Sequence, residues 1–111
     1  MKSFLILLSF AAVLLGAVAS VSTEKKPIRV VQINAKWNAK NTRTDLVNLS
    51  GCDYAFGWLE DQPKEIQETV TSVPVVVIYK KDVPAAQYVA DISLSLRVPF
   101  DEIQNKVSEL K

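Results

Sequence analysis

Cys52 is the only thiol among 111 residues, and histidine is absent. Thiol–disulfide exchange needs a thiolate to attack and a second thiol to resolve the mixed disulfide, so one cysteine cannot complete that cycle within the chain. The same composition excludes a His/Cys zinc site, a cysteine-ligated iron–sulfur cluster, a Ser-His-Asp triad and an intramolecular disulfide. No cofactor or metal is expected. Two readings of Cys52 stand: a buried thiol that behaves as a small apolar side chain, or the odd cysteine of an exported chain, joined to a second copy or acting as a monothiol redox group. The acidic residues are spread along the chain. Glu60-Asp61 precedes a helical pattern, where capping explains the pair better than acid–base catalysis. Asn48-Leu49-Ser50 is an N-glycosylation sequon, with meaning only on a secretory route that glycosylates.

Charge and composition narrow the partners. The 13 Lys+Arg and 12 Asp+Glu give a formal charge of +1, and setting Lys2 aside balances the two signs. A neutral surface offers no electrostatic reason to expect nucleic acid as a partner. With 49% hydrophobic and 23% charged residues, the chain can bury one core and stay soluble around it, a composition that argues against disorder.

The apolar content is concentrated at the start. Lys2 is followed by an uncharged run over residues 3–23, whose apolar heart, 4–18, ends in Ala17-Val18-Ala19 before Ser20. A positive start, an apolar stretch of about 7–15 residues and a small-x-small site form a secretory signal. Residues 1–19 are therefore read as a signal peptide, 20–27 as a polar linker and 28–111 as the domain. The competing reading is an uncleaved membrane anchor over residues 4–22. Either way the domain leaves the cytoplasm, toward a secreted, periplasmic or secretory-lumen location.

The elements that must position the chemistry follow from side-chain period. The run 28–34 is β-branched, with apolar residues of both parities, and suits a central strand covered on both faces. Residues 44–49 predict about two helical turns before Ser50-Gly51. A second strand covers 53–59, and Glu60-Asp61-Gln62-Pro63 opens a helix over 63–70, with Ile66 and Val70 inward. Val73-Pro74 breaks it. The run 75–79 is the most strand-like in the chain and forms a hairpin, through a turn at 80–82 with a solvated Lys80-Lys81 tip, with a strand near 86–90. Phe100, Ile103, Val107 and Leu110 fall at helical spacing, with Asp101-Glu102 at the start and Lys111 at the end, matching the helix dipole. The expected architecture is α/β, a four-stranded mixed sheet flanked by about three helices.

That order resembles the thioredoxin family over roughly residues 28–110. In thioredoxins the first central strand runs into Asp-Phe-x-Ala-x-Trp-Cys-Gly-Pro-Cys. Here the stretch is Gln32-Ile33-Asn34-Ala35-Lys36-Trp37-Asn38-Ala39-Lys40-Asn41, with Ala35 and Trp37 in register and Asn38 and Asn41 where the redox cysteines stand. Thr71-Ser72-Val73-Pro74 looks like the family's segment with a cis proline, and Gln32 takes the place of its buried acid. The resemblance implies a thioredoxin-like fold that has lost oxidoreductase chemistry. An Asn carboxamide cannot replace a sulfur nucleophile, and without a thiol to deprotonate a neutral Gln is less costly to bury than a carboxylate. Only residues 42–52 separate the motif from the second strand, so the long helix of thioredoxins cannot fit. What the resemblance leaves is a docking patch of Trp37, Asn38, Asn41, Val73 and Pro74, with Val73 backbone groups free to pair with an extended polypeptide partner. The expected role is therefore non-enzymatic, a protein-binding or assembly module. The alternatives are a Cys52 monothiol redox protein and a subunit that self-associates through Cys52 or an open sheet edge.

Overall fold

A computed structural model describes residues 19, 20 and 26–111. The apolar leader and most of the linker lie outside the described residues. Four main strands form a mixed sheet: β1 (Ile28–Asn34), β2 (Asp53–Trp58), β3 (Val75–Lys80) and β4 (Val83–Val89). In space the order is β2-β1-β3-β4. β1 runs parallel to β2 and antiparallel to β3, and β3 and β4 form an antiparallel hairpin. A two-residue strand, Ala19–Ser20, extends the sheet beyond β2, antiparallel to it. That fifth, very short strand was not foreseen, because two residues carry no periodicity to read.

β1 lies centrally because both of its parities are apolar. Ile28 and Val30 join Tyr54, Val76 and Ile78 on one face of the sheet, and Val31 and Ile33 join Ala55, Val75, Val77 and Tyr79 on the other. Helix α2 (Phe100–Leu110) covers the first face with Ile103 and Val107, both fully buried, together with Leu46, Leu49, Cys52 and Leu96. The spacing of three and four that predicted this helix sets its inward stripe. Helix α1 (Lys64–Thr69) lies on the second face and turns Ile66 inward, with Val70 at its C-cap.

Differences from expectation cluster between β1 and β2. The turns expected over 44–49 form as a four-residue 3-10 helix, Asp45–Asn48, and a second 3-10 segment, Lys36–Asn41, precedes it. Within the crossover, residues 35–52, Asn38, Asn41, Thr42 and Asn48 compete for backbone hydrogen bonds and weaken a regular helix.

Other shifts are smaller. Leu59 leaves the second strand to start a 3-10 turn, Leu59–Asp61, and Pro63 sits at the N-cap of α1 rather than inside its first turn. Neither Glu60 nor Asp61 caps α1. β4 begins at Val83, earlier than expected, because the hairpin closes on Lys81 and Asp82, both at positive φ, 50° and 66°. Paired left-handed residues match the twist of a two-residue hairpin. Gly51, at φ +80°, takes the conformation that ends the crossover before β2.

Truncating Ile103 to Ala removes the side chain that seats α2 on the sheet. Such a core deletion costs about 2–5 kcal/mol, read as a lowered urea midpoint with unchanged slope. The same change at exposed Val47 should move the midpoint by less than about 0.5 kcal/mol.

Candidate functional site

At the C-terminal end of β1 the strand delivers two amides, Gln32 and Asn34, onto the face covered by α2. Both are fully buried. Gln32 Nε2 donates to the Arg43 carbonyl (2.9 Å) and to Tyr54 Oη (2.8 Å), while its Oε1 accepts from the Arg43 backbone N–H (2.9 Å). Where the resemblance places a buried acid, a neutral side chain is thus saturated on both ends.

Asn34 and Asn38 form the centre of the cluster. Asn34 Nδ2 donates to the Asn38 carbonyl (2.9 Å) and Thr42 Oγ1 (2.8 Å). Asn38, 3% exposed, shares its amide hydrogens among Asn34 Oδ1 (3.1 Å), the Leu94 carbonyl (3.0 Å) and the Val73 carbonyl (3.3 Å). Its own Oδ1 accepts from Asn41 Nδ2 at 2.8 Å. Asn38, where the resemblance places the first redox cysteine of thioredoxins, is therefore a junction of three chain segments: the motif loop, the loop before Pro74, and the loop carrying Leu94. The Val73–Pro74 peptide is cis. Leu94 adopts φ 62°, a left-handed backbone uncommon for a leucine, and its carbonyl meets Asn38.

Charged groups brace the same junction from outside. The Arg43 guanidinium reaches the Leu96 and Val98 carbonyls (3.1 and 2.6 Å) and grips Asp45 through two nitrogens (2.9 and 2.8 Å). The hydrogen bond from Arg43 lowers the Asp45 pKa below the usual carboxylate value. The stabilisation from that pair is complete above the ordinary carboxylate range and is lost as pH falls through the depressed value. The Glu60 carboxylate accepts the Lys36 backbone N–H through both oxygens (2.9 and 3.0 Å), and Asp61 pairs with Lys36 Nζ at 3.2 Å. The acidic pair thus holds the motif loop rather than capping α1.

Of the residues expected to form a docking patch, Asn38, Asn41, Val73 and Pro74 come together, but Asn38, Val73 and Pro74 are buried. The Val73 carbonyl, expected to be free for a partner strand, is taken by Asn38. Trp37 alone is presented outward, 67% exposed. Beyond the junction, on the Leu94 loop, Ile92 is fully exposed. Asn34, Thr42, Leu94, Glu60 and Ile92 were missed. Asn34 carried a signal, an amide closing an otherwise apolar strand; Leu94 and Ile92 lie in a loop without periodicity and carried none.

Cys52 lies apart, 7% exposed, in the apolar layer beneath α2. Burial, reinforced by the negative charge of Asp53, pushes its pKa up, the opposite of what a reactive thiolate requires. Asn48 is exposed on its 3-10 turn, while the Ser50 backbone N–H and hydroxyl both address Gln104 Oε1 of α2 (2.9 and 3.4 Å). Among the described residues no group of three or more Cys, Asp or Glu side chains is placed to hold a metal ion. No protein-family model and no curated protein matches the chain.

Two outcomes follow from this geometry. Asn38→Ala strands the Val73 and Leu94 carbonyls and should lower unfolding free energy by about 2–4 kcal/mol in urea titration, against about 1 kcal/mol for Asn41→Ala. Cys52 should react with a thiol reagent roughly a hundredfold more slowly in native protein than in denaturant, because labelling requires local opening.

Proposed function

We propose that the chain is an exported, thioredoxin-like module without redox chemistry, whose role is to bind another polypeptide at the surface carrying Trp37. The observation that supports this reading most is the pairing of rigidity with exposure. Trp37 and Ile92 are large, apolar and solvent-facing, and they sit on two loops tied to each other through Asn38. Exposed apolar anchors on a pre-ordered support lose little conformational freedom on binding, which favours association. The amides at Asn38 and Asn41 are committed to internal hydrogen bonds, consistent with a loop kept for its shape.

The test replaces Trp37 with a photo-crosslinking phenylalanine analogue in the exporting host and identifies the captured polypeptide. Capture should fall at least about tenfold when Ile92→Asp is added, and should persist with Val47→Asp, an exposed apolar control on the Asp45–Asn48 turn. Equal capture in all three proteins would overturn the reading.

A further inference from the structure

Among the described residues β4 is the last strand of the sheet, hydrogen-bonded on one side only, to β3. Its phase is set by the Ala90 N–H, which donates to the Pro74 carbonyl at 3.1 Å. In an antiparallel ladder alternate residues face the partner, so Ala90, Tyr88 and Ala86 turn their backbone groups toward β3. Gln87 and Val89 turn theirs to the open side. All seven residues, Val83-Pro84-Ala85-Ala86-Gln87-Tyr88-Val89, are uncharged. Natural edge strands are usually guarded by charge, proline or a bulge. Here Pro84, and the register shift that leaves Ala85 without a partner, guard only the start of the strand. Its second half is regular, and Val89 is 40% exposed.

We propose that β4 pairs antiparallel with β4 of a second copy about a two-fold axis, joining two sheets into one. An isologous contact requires an edge complementary to itself under rotation. Lys80, Lys81 and Asp82 precede the strand, leaving that end net positive, and Asp91, which also pairs with Arg97 at 3.0 Å, follows it. Antiparallel pairing brings the net positive end of one copy to the Asp91 end of the other, whereas parallel pairing sets the two positive ends together. The nearly balanced charge of the chain adds no long-range repulsion between copies. Cys52 takes no part, being buried just before β2, which two intervening strands separate from β4 in the sheet.

Sedimentation of the protein from full-length expression decides this, with folding of each variant checked by circular dichroism. The mass should double over roughly 1–100 µM. Gln87→Pro removes an outward N–H without touching the ladder to β3, and Val89→Lys places charge at the edge; each should weaken the dimer at least about tenfold. Should Gln87→Pro fail to fold, Val89→Lys carries the test. Val47→Lys and Cys52→Ser should sediment as the native chain does. A monomer throughout that range, a dimer untouched by the edge variants, or a dimer lost with Cys52→Ser would each overturn the proposal.

Discussion

The carboxamide of Asn38 is the constraint on which the surrounding arrangement depends. A side chain with 3% exposure must find partners inside, and the partners available are carbonyls of segments 35 and 56 positions away, plus Asn34 below it. Without that amide the buried Val73 carbonyl would be an acceptor without this donor, at a cost of about 1–3 kcal/mol, and the partly buried Leu94 carbonyl would lose its tie to the motif loop. One neutral group thus holds the motif loop, the Val73–Pro74 loop and the Leu94 loop in a single relative position. Trp37 faces outward because its neighbour in the chain is drawn inward.

The electrostatics around this junction are those of a brace. The shifted groups move away from neutrality: burial raises the Tyr54 and Cys52 values, and the hydrogen bond from Arg43 lowers that of Asp45. The protonation states of these groups therefore stay fixed across the neutral range, and with them the hydrogen bonds they make. Gln32 belongs to the same logic, since an amide both donates and accepts in place and has no charge to desolvate. Arg43, half-buried, directs its guanidinium to two carbonyls and Asp45.

Strand β3 and helix α2 were legible at almost their observed lengths, because a β-branched run and a spacing of three and four each leave one way to bury apolar faces. The crossover between β1 and β2 was not. Its polar residues fit a loop, a weak helix or a turn equally well, and the choice fell to the hydrogen-bond partners that packing brought to Asn38, Asn41 and Thr42. The acidic pair at 60 and 61 shows the same limit: its place in sequence suggested the helix that follows, while its nearest donor in space is the Lys36 N–H, 24 residues earlier.

The α/β order, the two faces of the central strand, and the absence of a second thiol or any imidazole follow from residue types and their period alone. Tertiary structure alone decided that Asn38 turns inward and Trp37 outward, that the Val73 carbonyl is occupied, and that Ile92 stands exposed. The physical reason is that a buried hydrogen bond is satisfied by whichever group packing brings within 3 Å or so, and that identity is a property of the whole fold.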